Sequence, residues 1–595
     1  MNFIINKQIN NAKSINELID NYNQNKYNYN HINLCTLINR FAKLSKNGYK
    51  NLFINELIPE IKNKMCYFES HNISILAWSF AKLDIYDKEL FDLFVEQIKY
   101  KIKDLSSQSI SNLAWVFATL NICNDELFHL LANETKYKIE NFSSQSISNL
   151  AWAFATLNIC NEELFDLLAN ETKYKIEDFT PQTIANLGWS FATLNIYNDE
   201  LFNLLSDKTK YEINIFTPQN IANLALSFAI LNIHDYELFN LFAIETKYKI
   251  QNFNSQDISN LAWAFATLNI YNEELFVLLA DETKYKIKSF TSQNISVLAW
   301  SFATLNIHNV NLFHLLANET KYKLKNFDAQ NIANLAWAFA SLNIRYQTNL
   351  TIEPKDNLIS GEIELFNLLA EWTRYKIKNF STQNIANLAW AFATLNIHNN
   401  DLFNLLSNEI KNKITNFNSQ EISNLSWSFA VLNIKNVELL ELLIAQLTNN
   451  DISLLGKTQL YYVYLHIKYE IKSDKLIDLM ENKNLNNIPK ITNNVSSLLH
   501  LEISQYLKML DINHENEIII NGLACDIGLY NDYVIEINGP THYAYCSKYK
   551  MGRTIFKTRL LEAMGKNVII IPYWEWYVLK TKQEKISYFK EIFYN

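Results

Sequence analysis

Between Ser106 and Phe142 two amphipathic stretches follow one another, and the same pattern recurs along most of the chain. At 100° per residue, Ile110, Leu113, Ala114 and Phe117 fall on one apolar face. That face predicts a helix from about Gln108 to Leu120. Ser106-Ser107-Gln108 offers hydroxyl caps before it, and Thr180-Pro181-Gln182 and Thr291-Ser292-Gln293 serve later units in the same way. Asn121 to Asn124 reads as a turn with Asn124 capping a second helix, and Asp125-Glu126 suit the positive end of that helix. The second helix carries Leu127, Phe128, Leu130, Leu131 and Tyr137 and ends among Lys136 and Lys138. The unit is an αα-hairpin.

A tryptophan marks the period. Trp78, Trp115, Trp152 and Trp189 stand 37 residues apart, Leu226 keeps the place, and Trp263, Trp300 and Trp337 continue the step. Trp390 arrives 53 residues later, after a 16-residue insertion near Arg345 to Glu362, and Trp427 resumes the step. A fixed period of this length predicts a solenoid in which each unit packs on its neighbours. Trp115, flanked by the small residues Ser111 and Ala118, is expected at the seam between repeats; stacking on bases is the other use of such a ring. Ser109, Asn112, Val116 and Thr119 remain as a narrow, exposed stripe.

Within that stripe one position varies while its neighbours hold. It is Asn72, Ser109, Ser146, Thr183, Asn220, Asp257, Asn294, Asn331, Asn384 and Glu421. One turn on, an asparagine recurs at Asn112, Asn149, Asn186, Asn223, Asn260, Asn334, Asn387 and Asn424, replaced at Ile75 and Val297. Such a row could read one base per repeat of single-stranded RNA. First-turn preference for short polar side chains explains the variable position equally directly, and the asparagines could bond backbone between stacked repeats. Lys136-Tyr137-Lys138 and its counterparts would form a basic ridge for phosphate, or complement helix C-termini.

Composition moderates this picture. The net charge is −8, against a uniformly basic nucleic-acid binder. Gly 9 and Pro 7 are low counts for 595 residues, which favours long helices. Six cysteines show neither a CxxC pair nor zinc spacing, so no metal ligands are assigned and reduced thiols are expected. No membrane helix is expected. The first residues decide no compartment: the protein is expected inside the cell, in the cytoplasm or an organelle such as the mitochondrion.

From about Asn494 the texture changes. Ile518-Ile519-Ile520-Asn521-Gly522 predicts a strand and turn, and Tyr533 to Pro540 a second strand. A helix follows from about Gly552 to Met564, with Gly565 as its cap, and then a buried strand, Val568 to Ile571.

The phrase Gln330-Asn331-Ile332-Ala333-Asn334-Leu335-Ala336-Trp337-Ala338-Phe339-Ala340 resembles the octotricopeptide-type repeat, a paired-helix solenoid associated with RNA. The last segment resembles the RAP domain through Asp526, through Glu536, Asn538-Gly539-Pro540 and His542, through Arg559-Leu560, and through Ile571-Pro572-Tyr573-Trp574-Glu575-Trp576. Its order of elements is also similar to PD-(D/E)xK nucleases. That likeness implies Asp526 and Glu536 as catalytic carboxylates holding Mg²⁺, the only cofactor in view. The nuclease lysine is absent, since Asn538 occupies its place; His542 and Lys557 are substitutes, and Cys525 reads as core.

The resemblances together imply a mainly α chain: a right-handed α-solenoid of 37-residue hairpins followed by a small α/β RAP domain with nuclease-like topology. The divisions expected are a helical cap over 1–67, with a degenerate repeat near Leu34 to Leu44, repeats over 68–450 with the insertion at 345–362, closing helices over 451–493, and the α/β module over 494–595. The function implied is sequence-selective binding of single-stranded mRNA or rRNA by a monomer acting in RNA stability, processing, ribosome or translation control. RNA-processing or ribosomal proteins are further partners. The alternatives are a protein-interaction scaffold and an RNA-targeted, Mg²⁺-dependent nuclease.

Overall fold

The computed structural model describes residues 2–45, 52–345, 364–448, 452–487, 497–530, 532–545 and 547–594. The insertion expected at 345–362 and the end of the repeats near Asn449 lie almost wholly outside them. The chain divides into two compact units, residues 1–279 and 280–595. Each is a stack of the expected hairpins, and the second also carries the α/β module.

The hairpin read from the sequence forms within a residue of its expected bounds, as helices Ser107–Thr119 and Asp125–Lys138. Ser106 caps the first by accepting from the Ser109 N–H, and Asn124 caps the second by accepting from the Leu127 N–H. The turn between them is closed by an asparagine in the left-handed conformation. Asn121 sits at φ 54°, the Ile122 N–H donates to Phe117 O at 2.8 Å, and the Asn121 N–H donates to Ala118 O. This is a Schellman closure with asparagine in the left-handed position that glycine usually takes. Asn158, Asn195, Asn232, Asn269, Asn306, Asn343, Asn396 and Asn433 repeat it, which is how a chain with so few glycines turns so often.

Phenylalanines lock successive repeats. Phe128 of one second helix meets Phe154 of the next first helix edge-on at 4.9 Å, and Phe165 meets Phe191 in the same way at 4.8 Å. In the second unit Phe313 with Phe339 and Phe403 with Phe429 do the same. Such aromatic pairs add about 0.5–1.5 kcal/mol each beyond burial.

The lysines open to phosphate contact or to helix C-terminal complementarity reach neighbouring repeats instead. Lys138 Nζ donates to Lys103 O and Leu105 O of the preceding repeat, both at 2.6 Å, and Lys175 bonds Glu140 O and Phe142 O likewise. Lys136 bridges Glu163 of the following repeat at 2.6 Å. These cations satisfy turn carbonyls and cross-link repeats, which leaves the tyrosine between them, such as Tyr137 or Tyr174, outermost.

In the second unit the stack closes with helix Leu454–His466 against helix Ser419–Val431. The α/β module then forms a four-stranded sheet in the order β1 (His514–Ile520), β2 (Leu523–Leu529), β3 (Tyr533–Asn538) and β4 (Asn567–Pro572). The first two pairings are antiparallel and β3 with β4 is parallel, across helix Gly552–Ala563. The expected order of strand, strand, helix, strand therefore omits β2, the second arm of a hairpin turned at Asn521-Gly522. Both turn residues have positive φ, as a two-residue hairpin loop requires. Gly565, at φ 84°, ends the helix as expected. Ile503, Leu507, Ile527, Ile535, Ile571, Trp576 and Phe589 form the core of the module.

Candidate nucleic-acid interface

The exposed line of the first helices is offset from the expected stripe. Ser109 and Val116 are buried, while Gln108, Asn112, Trp115 and Thr119 are exposed or half-exposed. Each first helix is flanked by its own partner and by first helices before and after it, so one narrow line is left uncovered. Within each unit that line repeats, as Gln145, Asn149, Trp152, Thr156 in the first and Gln330, Asn334, Trp337, Ser341 in the second. Trp115 and most of its counterparts are half-buried on this line rather than sealed in a seam.

The variable first-turn residues serve as capping partners. Ser109, Ser146, Thr183, Asn220, Asp257, Asn294, Asn331 and Glu421 are buried, and Asn72 and Asn384 are half-buried. Asn220 Oδ1 accepts from the Thr217 N–H at 3.2 Å while its own N–H donates to Thr217 Oγ1. Asp257 and Glu421 close the same reciprocal box with Asn254 and Asn418. The variation is the latitude of a capping box, which accepts any short acceptor there. The recurring asparagines Asn112, Asn149, Asn186, Asn223, Asn260, Asn334, Asn387 and Asn424 do lie on the exposed line, all half-buried. Gln145 Nε2 donates to Asn149 Oδ1 at 2.7 Å, and Gln420 and Gln459 both donate to Asn424 Oδ1. The glutamine was legible as a member of this row: from Gln108 onward it recurs at the repeat spacing, four residues before the asparagine.

In the second unit the α/β module rests on the last repeats. Arg559 donates to Ala430 O, to Val431 O at 2.8 Å and to Glu470 Oε1 at 2.6 Å. His466, wholly buried, holds the other Glu470 oxygen at 2.6 Å. Burial alone pushes the Glu470 carboxyl up, but the bonds from His466 and Arg559 outweigh it and hold the group below its ordinary range. Gly552 allows the close approach, since a Cβ there would lie 1.9 Å from Ala393 O. The Tyr545 N–H donates to Asn343 O at 2.7 Å, at one of the left-handed turns. Neither the glycine nor the arginine could be read as an anchor from the sequence, because their partners lie 89 or more residues away.

Between module and repeats lies a cavity of about 630 Å³. Trp390, Trp427 and Tyr462 line it from the repeats, and Glu536, Asn538 and Lys557 from the module. Lys557 pairs with Glu536 Oε2, so the ammonium missing from position 538 arrives instead from the following helix. Burial pushes the Glu536 carboxyl up, and Lys557 opposes that. Glu536 Oε1 and both amide atoms of the fully buried Asn538 have no partner in hydrogen-bond geometry. The Cys525 thiol beside Glu536 is buried, as expected of core, and burial raises it to about 12. His542 is lowered by burial and then by Arg553.

Asp526 accepts from the Ile537 N–H at 2.6 Å and lies with His500 and Glu517, a group that does not include Glu536. Both ring nitrogens of His500 already face partners, Asn516 at 3.1 Å and Glu517 at 3.2 Å. Mg²⁺ asks for several open oxygen ligands. Lys557 holds Glu536 Oε2 and the Ile537 N–H holds one oxygen of Asp526, which leaves one oxygen of each carboxylate outside those bonds, and no cleavage step is derived from them.

Comparison with known proteins bears on the repeats first. The family described as RNA-editing substrate-binding complex 6 protein matches residues 25–229 and again 175–347, together more than half of the chain. The chain belongs to that family. Beyond this family match, a family described only as a protein of unknown function matches residues 364–388 and 401–425. The RAP domain family matches residues 535–592, so the module is a RAP domain. A RAP domain-containing chloroplastic protein of Oryza sativa subsp. japonica is 27% identical over 99 residues, 16% of this chain and 16% of that relative. The chain thus matches a small part of that relative's length. A homology model of the full-length AP-3 complex in an intermediate open conformation overlaps 82% of this chain and 86% of that chain, at 11% identity and a TM-score of 0.35, too low to carry an argument. Among the described residues, no helix is long and apolar enough to cross a membrane.

Proposed function

We propose that this protein binds single-stranded RNA along the row of glutamine, asparagine and tryptophan side chains on its first helices, at about one base per repeat. The observation that carries the reading is the row itself. Most repeats present a half-buried tryptophan beside one or two amides, such as Trp152 with Gln145 and Asn149; Leu226 replaces the ring in one, Trp427 is buried, and the Trp78 repeat has His71 and Ile75 in place of the amides. A ring gives a base something to stack on, and amides give its edge hydrogen bonds. The name of the repeat family, the RAP domain and the likeness to octotricopeptide-type repeats support an RNA-associated role. We assign the protein to RNA stability, processing or translation control, acting as a monomer alongside RNA-processing or ribosomal proteins. The chloroplastic relative supports an organelle.

Because the repeated lysines bond neighbouring repeats, affinity rests on stacking and amide contacts more than on phosphate. Titration of the full chain with labelled single-stranded RNA of mixed sequence, at several salt concentrations, tests this. The expected result is binding with a shallow salt slope, reflecting few phosphate contacts. Trp152→Ala with Trp189→Ala should weaken it, by about 1–3 kcal/mol per lost stack. A folded protein that fails to bind at micromolar concentration in moderate salt would overturn the reading in favour of a protein-interaction scaffold.

A further inference from the structure

The row does not stop at the last tryptophan-marked repeat. In the closing helix Leu454–His466, the positions equivalent to the glutamine, asparagine, tryptophan and threonine are Leu455, Gln459, Tyr462 and His466. Trp390, Trp427, Gln459 and Tyr462 all line the cavity under the RAP domain. The line of first-helix side chains in this unit therefore runs into an open-sided cavity between the repeats and the RAP domain.

That space has the size and lining of a site for one nucleotide. Its volume, about 630 Å³, lies within the range of small-molecule pockets. One wall is aromatic. The other holds the fully buried Asn538, its amide donor and acceptor without a partner in hydrogen-bond geometry, and Glu536, 3% exposed, whose Oε1 likewise lacks one although the Cys525 thiol lies beside the carboxyl. The Tyr543 hydroxyl is near Asn538 without hydrogen-bond geometry to it. Buried polar groups are nearly always satisfied, so these atoms mark where a ligand with complementary groups would be held. Arg553, exposed and also lining the cavity, donates to Thr541 O at 3.0 Å and sets a guanidinium where a phosphate would enter.

We propose that the cavity binds one nucleotide of the RNA carried on the row, its base against Trp390, Trp427 and Tyr462 and its amino-bearing edge read by Glu536 and Asn538. The proposal rests on the RNA-binding reading of the row. A carboxylate oxygen accepts only, so it favours adenine, guanine or cytosine, each with an exocyclic amino group, over uracil with carbonyls on both sides of its single imino donor. Lys557 keeps Glu536 compensated at Oε2 while Oε1 serves the base.

The test is calorimetric titration of the full chain with AMP, GMP, CMP and UMP separately, next to the single-stranded RNA titration. At least one amino-bearing nucleotide should bind in the sub-millimolar range, with UMP weaker by about tenfold or more. Asn538→Ala should weaken binding by a similar factor. Thr458→Trp, which fills the cavity from the repeat side and leaves the RAP core untouched, should abolish it. RNA binding without any mononucleotide binding, or a Thr458→Trp variant that binds mononucleotides like the parent, overturns this inference and leaves the row standing. Mononucleotide binding that Thr458→Trp removes, in a chain that ignores longer RNA, keeps the cavity as a nucleotide site and removes the row.

Discussion

Replacing Arg559 by alanine should undock the RAP domain while its own core stays folded. The guanidinium makes three contacts at once: the carbonyls of Ala430 and Val431, at the end of helix Ser419–Val431, and the Glu470 carboxylate. Its side chain is 21% exposed and that of Glu470 8%, so these bonds are made largely out of water. Hydrogen bonds to charged groups contribute about 1.5–3 kcal/mol each. Breaking a buried pair on one side costs about 3–5 kcal/mol, because the other charge is left behind. We expect a loss within that second range, equivalent to about a hundred- to several-thousandfold in the docking equilibrium. Stacked repeats do not unfold as one two-state unit, so a single melting temperature is the wrong readout. Hydrogen exchange is the right one: amides around Val431 and in helix Gly552–Ala563 should lose protection, whereas β2 and β3 keep theirs. Adding Glu470→Gln to Arg559→Ala should restore part of the loss, since it removes the stranded charge. Unchanged exchange in helix Gly552–Ala563, or no rescue by Glu470→Gln, would refute the assignment of Arg559 as the anchor.

The same pair gives a pH dependence. The Glu470 carboxyl is held below its ordinary range in the folded protein, so its stabilisation is complete above about pH 4.3, the unfolded value, and fades as pH falls through the lower folded value. Glu319 and Glu409 share this direction, each bridged by two lysines, and acid should loosen the second unit accordingly, as seen by circular dichroism on acid titration. A second unit whose stability holds steady from about pH 5 to about pH 3 would contradict this. Lys138→Met should cost about 1.5–3 kcal/mol by stripping the charged donor from Lys103 O and Leu105 O, and exchange at Leu105 to Ser107 would report it. Asn121→Gly should be neutral or stabilising and Asn121→Val clearly destabilising, because only the first tolerates φ 54°; equal urea stability of the two would count against the Schellman closure. Labelled single-stranded RNA incubated with Mg²⁺ should stay intact, and cleavage abolished by Asp526→Ala with Glu536→Ala would restore the nuclease alternative.

The repeat was legible because its determinants are local. Apolar spacing at Ile110, Leu113 and Phe117, and the caps at Ser106 and Asn124, lie within a single hairpin, and the structure places the helices within a residue of where those signals put them. What the sequence hid is set by neighbours at a distance of one repeat or more. Helical periodicity at Ser109 and Asn112 cannot say which flank the next first helix will cover, and so the exposed line came out displaced, from Ser109 and Val116 to Gln108 and Trp115. A lysine at a helix end reads alike whether it faces solvent or, as Lys138 does, reaches the carbonyls of the repeat before it. The variable first-turn residues mislead for a related reason. Variation along a repeat is a sign of readout only where the varying group is free, and a capping box that accepts serine, threonine, asparagine, aspartate or glutamate varies because its demand is generic. The positions that hold still, Gln108 and Asn112 with Trp115 beside them, are those that face outward. If RNA binds there, an almost invariant row favours recognition of shape and stacking over a base-by-base code. Discrimination among bases is then concentrated where the row meets groups found once in the chain, at Glu536 and Asn538. This makes a sharp expectation for full-length RNA: swapping bases along the tract should change affinity little, while swapping the one nucleotide that reaches the RAP domain should change it by about tenfold. A preference spread evenly along the tract would place the reader in the repeats after all.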